Sequence, residues 1–454
     1  MSTTTEKLLR LIRGEWNRFR KSRADTAEEL LRDPETVANF LLSRRGEASG
    51  TMLAQRLFED FESAPPAAQL AFFEHLARNF GPDGDALQRA IDAWRAAPGD
   101  AAALALHNAA EPRRQELIRR LNYSSGGTYR LVEMREKLLA LKREHAELVP
   151  VDADFRHLFT SWFNPGFLEM RPIDWRTPAN ILEKLIRYEA VHTIRDWDDL
   201  RRRLDPPDRR CFGFFHPQLV DEPLIFVEVA LTNDPAHSIQ ALLDSGRTPT
   251  PADTATTAVF YSISNTQKGL AGVPFGSFLL KHAIDWLRRD VPTLTTFVTL
   301  SPVPGFARWL AAERANADSP FTDGATRGAL EGLDAPDWPH DAERADVLRE
   351  PLLHAAAVYF LQAKTPKNQP LDPVARFHLR NGAALHRMHF LGDTSPKGMK
   401  QAHGLMVNYL YVPDDLEKNH EAFAEHDEVV ASAEIKARLA NTENGKKRRV
   451  KVKH

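Results

Sequence analysis

The spacing of apolar residues changes once along this chain, and that change limits the folds open to it. From Glu6 to about Leu148, leucine, alanine and arginine recur at intervals of three and four, broken by Pro34, Pro65, Pro66, Pro82 and Pro98. This is the pattern of successive amphipathic helices, and no stretch of it alternates as a strand does. Leu70, Phe72, Phe73, Leu76 and Phe80 share one face of the kind that packs in a bundle. Ser124, Ser125, Gly126 and Gly127 mark a break before a further helix over 130–147. No carboxylate–histidine pairs arranged for a di-metal bundle site stand out.

Turn residues at Phe163-Asn164-Pro165-Gly166-Phe167 end the helical run. Beyond them, short apolar and β-branched runs at 210–216, 224–231, 257–264 and 294–300 carry the signature of strands. Between the last two, 275–289 reads as an amphipathic helix of about four turns. Residues 323–361 and 374–389 read as mostly helical, and 404–412 as a late strand. The expectation is an α+β chain. An all-α helical bundle over residues 1–160 precedes an α/β domain over 161–454, centred on a strand–loop–helix–strand unit.

Charge excludes several partners. Sixty Lys and Arg against 62 Asp and Glu leave a formal charge of −2, whereas a general nucleic-acid binder needs a basic surplus. A single cysteine, Cys211, excludes an internal disulfide framework and thiolate-rich metal sites, and points to a reducing compartment; pairing of that thiol between subunits stays open. No run approaches the roughly 18 apolar residues of a membrane span, so no membrane partner is expected. The N-terminal helix carries Glu6 and Glu15 and a Thr3–Glu6 capping box, which suit an ordinary first helix better than a transit peptide. The basic residues within 440–454, from Lys446 to Lys453, read as a solvated tail.

Three segments offer chemistry. Residues 267–276 follow a strand and open a helix, with Gly269, Gly272 and Gly276 allowing close approach of a phosphate to backbone N–H groups. The pattern is neither GxGxxG nor a Walker A loop, and a tight turn alone would also explain it. Ser301 stands at the end of the next strand, stiffened by Pro302 and Pro304, outside any GxSxG elbow. Helix capping is its alternative role. Of the 17 histidines, His378 has the most suggestive surroundings, with Phe377, Leu379, Arg376 and Arg380 beside it, although a structural histidine would look the same. His386 and His389 follow on the same expected helix, without the carboxylates a zinc site would want.

Taken in order, these segments resemble malonyl-CoA decarboxylases. The matching residues are Phe260 to Ser264 with Thr266-Gln267, Gly269-Leu270, Gly272-Val273 and Gly276; Leu300 to Phe306; and Asp372-Pro373-Val374-Ala375 with Phe377-His378-Leu379 and Asn381-Gly382-Ala383. Glu189 to His192, Val229 to Thr232, Gly404 to Met406 and Asn408-Tyr409 extend the likeness. The resemblance implies a helical oligomerisation domain followed by a catalytic domain of the GNAT acyltransferase fold. It places Ala271, Gly272, Val273, Pro274, Phe275, Gly276 and Ser277 in the acyl-CoA-binding loop, and Ser301 and His378 on the catalytic serine and histidine. The implied substrate is malonyl-CoA, with no cofactor and no metal, in a homo-oligomer, dimer or tetramer. Pro274 has no N–H to give a phosphate.

The chain ends without a peroxisomal Ser-Lys-Leu, so a bacterial cytoplasmic enzyme is expected. Arg376, Arg380, Lys268 and Lys281 are candidates for the positive field that a coenzyme A ligand requires. Two other readings remain in view. One is a GNAT-fold transferase passing an acyl group to an acceptor, which malonyl-CoA turnover without acceptor would exclude. The other is a non-catalytic malonyl-CoA-binding protein, which binding without turnover would favour.

Overall fold

The structure is a computed structural model and describes residues 34–43, 50–274, 279–322 and 324–439. The N-terminal capping box, the basic tail, and Phe275, Gly276 and Ser277 of the glycine loop lie outside the described residues. The chain forms two units. Of the described residues, those in Met1–Phe167, His216–Val220 and Gln267–Phe275 make the first, and the remainder makes the second.

Helices build the first unit, as the spacing of three and four requires: α1 (Pro34–Leu42), α2 (Gly50–Ser63), α3 (Pro66–Asn79), α4 (Gly84–Ala96), α5 (Asp100–Ala110), α6 (Arg113–Asn122), α7 (Gly127–Leu141) and α8 (Val149–Trp162). Phe72 and Phe73 of α3 meet the ring of Phe61 on α2, with centroids 5.6 and 5.3 Å apart in edge-on geometry. Arg114 and Gln115 of α6 both bond the buried carboxylate of Asp154 on α8, Gln115 at 2.6 Å. These partners keep the Asp154 charge from being stranded in the bundle. Side-chain oxygen and nitrogen atoms of Glu74, His145 and Glu147 do come together here, within 4.8 Å of one another, with Glu147 exposed and the other two partly so.

An eight-stranded mixed sheet organises the second unit, in the order β1-β2-β3-β4-β5-β8-β6 with β7 also on β8. The strands are β1 (Glu169–Ile173), β2 (Arg209–Phe215), β3 (Pro223–Thr232), β4 (Thr257–Asn265), β5 (Thr296–Thr299), β6 (Ser301–Pro302), β7 (Ala384–His389) and β8 (Met406–Leu410). Helices α9 (Ala179–Tyr188) and α10 (Trp197–Leu204) bury Leu182, Leu185, Leu200 and Leu204 in one cluster with Cys211, Phe215 and Phe226. Other helices include α11 (Ile239–Leu243), α12 (Leu279–Asp290), α13 (Phe306–Ala315), α14 (Gly324–Ala329), α15 (Ala342–Leu361), α16 (Pro373–Arg380), α17 (Pro396–Ala402) and α18 (Leu416–His426). The helical region followed by a mixed-sheet domain is the α+β architecture expected from the sequence. Among the described residues no helix is long and apolar enough to cross a membrane.

β4 and β5 pair in parallel from Thr257↔Thr296 to Phe260↔Thr299, while the neighbours of both run antiparallel. This is the strand–loop–helix–strand unit, with α12 as its helix. The parallel ladder stops at Phe260, beside a bulge in β4 where Glu228 faces Ser262 but Val229 faces Phe260. From there the chain after β5 pairs instead with β8, Ser301↔Val407. The two strands therefore part at Ser301, and bulges commonly re-aim side chains at such openings.

The single helix expected over 374–389 is corrected. The chain forms α16, then β7, because Asn381-Gly382 stops the helix: Gly382 takes φ +80, and the Gly382 and Ala383 N–H groups close onto Leu379 and His378 carbonyls. His386 and His389 therefore lie on a strand, where His389 bonds Asn408 Oδ1 at 2.5 Å. β1 was not anticipated, since Pro172 interrupts its pattern; Pro172 is tolerated because β1 is an edge strand.

Candidate active site

His378 is delivered by α16. Asp372 caps this helix by accepting from the Ala375 N–H at 2.8 Å, and Pro373 occupies the first turn, where its missing N–H costs nothing. Burial raises the Asp372 carboxyl to about 6. His378 is 2% exposed at the end of the helix and stacks on the Tyr409 ring, centroids 4.4 Å apart. Burial pushes its pKa down to about 3, so the ring is neutral at pH 7.

Ser301 Oγ lies 3.2 Å from His378 Nε2 and donates to Thr299 Oγ1 at 2.8 Å. Tyr411 OH is 2.7 Å from His378 Nδ1 on the other side of the ring. We assign the proton order from the direction of the Ser301–Thr299 bond. Because Ser301 gives its proton to Thr299, Nε2 carries a hydrogen toward Ser301; Nδ1 then accepts from the Tyr411 hydroxyl. Thr299 Oγ1 also accepts the Tyr409 N–H at 3.1 Å, and Asn408 Nδ2 holds the Thr299 carbonyl at 2.6 Å.

The Ser301–His378 pair opens on a cavity of about 250 Å³. Phe260, Tyr261, Ile263 and Asn265 line it together with Pro302, Pro373, Val374 and Phe377. Most of these side chains are apolar, so a charged group entering would lose water. Val191 also lines the cavity, and its backbone is fixed by Glu189. The Glu189 carboxylate accepts from the Val191 and His192 N–H groups at 2.9 and 2.6 Å and from the Ser262 and Ser264 hydroxyls at 2.8 and 3.0 Å.

The structure thus joins two of the sequence candidates, Ser301 and His378. Ala271, Gly272, Val273 and Pro274 belong to the first unit and are described with it. The proposed cations are mostly engaged. Lys268 stands 3.6 Å from Glu136, Lys281 3.7 Å from Glu417, and Arg376 bonds the Pro370 and Leu371 carbonyls. Cys211 is buried within β2, and burial holds its thiol protonated.

Sequence reasoning missed Tyr411 and Thr299. The signal available was a polar residue on each strand that brackets the serine, Thr299 two positions before Ser301 and Tyr411 just past β8; only pairing in space reveals their partners.

Fold and site define an α+β chain with a hydrogen-bonded serine and histidine where its central strands part. Residues 166–449 match the malonyl-CoA decarboxylase C-terminal domain, and residues 80–163 match the N-terminal domain of the same family. The chain belongs to the malonyl-CoA decarboxylase family. It is 34% identical over 348 residues to the mitochondrial malonyl-CoA decarboxylase of Anser anser anser, covering 71% of this chain and 69% of that one. The crystal structure of malonyl-CoA decarboxylase from Rhodopseudomonas palustris superposes with a TM-score of 0.86 at 60% identity, covering 89% of this chain and 98% of that one. That from Agrobacterium vitis gives 0.86 at 55% identity, covering 90% and 99%.

Proposed function

We propose that this chain converts malonyl-CoA to acetyl-CoA and carbon dioxide, with Ser301 and His378 as its catalytic residues. The observation that carries the assignment is the ordered chain Tyr411–His378–Ser301 ending at an apolar cavity. Decarboxylation breaks the bond between the carboxylate and the α-carbon. Carbon dioxide leaves, and the electron pair passes into the thioester carbonyl as an enolate. Apolar walls favour this step because the charged carboxylate is poorly solvated there, while the spread charge of the enolate suffers less.

The α-carbon must then gain a proton. The Ser301 hydroxyl swings from Thr299 to hold the carboxylate. After carbon dioxide departs, that hydroxyl faces the carbanion. It donates to the α-carbon as His378 Nε2–H replaces its proton and Nδ1 takes one from Tyr411; when product leaves, solvent reprotonates Nε2 and Nδ1 returns its proton to Tyr411, which restores the starting state. A carbon base of this strength removes the need for an imidazolium, which agrees with a histidine that burial keeps neutral.

Incubation of the purified protein with malonyl-CoA alone is expected to give acetyl-CoA and carbon dioxide in equal amounts. Dependence on an added acyl acceptor would establish the transferase reading, and binding without turnover the non-catalytic one. Tyr411→Phe is expected to lower kcat about tenfold to a hundredfold with little change in KM, since it removes the donor to a buried nitrogen worth ~1–3 kcal/mol. An unchanged kcat would remove Tyr411 from the chain of donors.

The same proposal includes residues 1–160 as an oligomerisation domain and residues 161–454 as the catalytic domain, in a dimer or tetramer, in the bacterial cytoplasm. The oligomerisation reading is supported by α5, which buries none of its side chains and leaves Leu104 60% exposed.

A further inference from the structure

We propose that Arg135, on helix α7 of the first unit, is a positioning residue for acyl-CoA. It fixes the orientation of the Ala271–Gly272 peptide so that the Gly272 N–H is presented to an acceptor oxygen of the ligand. The proposal rests on the acyl-CoA reading of the glycine loop given above.

Arg135 is 1% exposed. Its Nε donates to Asp152 Oδ1 at 2.9 Å, and Lys142 bonds the other oxygen of that carboxylate. The guanidinium fork then reaches the glycine loop: Nη1 donates to the Gly269 carbonyl at 2.6 Å and Nη2 to the Ala271 carbonyl at 2.9 Å. The loop backbone lies so close to α7 that a Cβ on Gly269 would fall 1.9 Å from the Val132 carbonyl oxygen. Desolvation of a guanidinium is costly, and three fixed acceptors match the rigid fork in a way lysine would not.

Which carbonyl is held matters. Leu270 to Val273 form a turn closed by the Val273 N–H on the Leu270 carbonyl at 3.0 Å. Ala271 has φ −55 and ψ 129, and Gly272 has φ +77. These are the angles of a type II turn, which differs from type I by a flip of its central peptide and requires glycine after the flip. Arg135 binds the oxygen of that central peptide. In a trans peptide the N–H points opposite to the carbonyl, so the Gly272 N–H is directed away from Arg135. Among the described residues nothing accepts it. A backbone donor held outward in a glycine loop suits a phosphate or thioester carbonyl oxygen of an acyl-CoA.

Three measurements test this on the full-length protein: kinetics with malonyl-CoA, the Kd of free coenzyme A, and hydrogen exchange of the loop 267–274. Arg135→Met is expected to raise KM about tenfold or more, with kcat within about threefold, because uniform binding rather than transition-state stabilisation is lost. Loop exchange should accelerate, and Arg135→Lys should recover part of the effect. Gly272→Ala penalises the same turn without touching α7, since its Cβ would meet nothing nearer than Arg156 Cδ at 3.9 Å. It should raise KM similarly and add little to Arg135→Met.

A parallel rise in the Kd of free coenzyme A assigns the acceptor to a phosphate; a rise confined to malonyl-CoA assigns it to the thioester carbonyl. A folded Arg135→Met with unchanged KM and Kd, or a loss confined to kcat, overturns the proposal. If that variant does not fold, an unchanged KM in Gly272→Ala overturns it. Failure of the wild-type protein to bind or consume malonyl-CoA would instead sink the underlying reading, and loop exchange would still report on the Arg135 contact.

Discussion

His378→Asn is expected to remain folded and to release carbon dioxide about 10²–10⁴-fold more slowly, the range associated with loss of a positioned general acid. Asparagine is chosen because its short amide sits near the Nδ1 position and can meet the Tyr411 hydroxyl, so the buried tyrosine keeps a partner while Ser301 loses the donor on Nε2. Turnover close to wild type would remove His378 from the chemistry. The same variant isolates a stability effect. Burial lowers the His378 pKa to about 3, whereas the unfolded chain protonates a histidine near 6.5. The folded-state value is depressed, so the neutral ring's contribution is fully present above about pH 6.5 and is lost as pH falls toward 3. Asparagine does not titrate. The wild-type advantage over His378→Asn should therefore shrink by ~1.4 kcal/mol per pH unit below about 6.5, read as denaturant midpoints at pH 7 and pH 5. A gap that does not change with pH would mean that His378 is accessible to protons in the native state.

The parts of this site legible in the sequence were those carried by local rules. Strand runs and the turn prolines after Ser301 are short-range signals, and each lies where the structure has the matching element. His378 was legible as a candidate from its neighbours, but not as buried, neutral and stacked. Those properties come from Tyr409 and Tyr411, more than thirty residues away and meeting it only because β8 crosses beside β5. The misread segment 374–389 shows a local signal passed over, since Asn381-Gly382 is itself a helix stop. Arg135 was illegible for a different reason. One arginine among many on an amphipathic helix gives no sign that it is buried, and its partners are carbonyls, which any residue supplies.

Ser301→Ala is expected to lower kcat about 10²–10³-fold, the usual cost of one donor aimed at developing charge, while the Kd for acetyl-CoA, which lacks the carboxylate, changes less than about threefold. The arrangement also specifies what Ser301 does not do. In a hydrolytic triad an unprotonated Nε2 faces the serine and takes its proton, and a carboxylate on Nδ1 stabilises the imidazolium that forms. Here Ser301 donates to Thr299, which assigns the proton to Nε2, and the group on Nδ1 is the Tyr411 hydroxyl rather than a carboxylate. In that tautomer Nε2 is no base for Ser301, no carboxylate stands on Nδ1 as counter-charge for an imidazolium, and the electron pair released by decarboxylation needs no acyl-enzyme to receive it. Intact-mass measurement during turnover should therefore find no malonyl or acetyl adduct on the protein. An adduct mapped to Ser301 would establish covalent catalysis and overturn the hydrogen-bonding role. An adduct-free protein that loses carbon dioxide release on Ser301→Ala is the outcome that a proton chain ending at an apolar cavity requires.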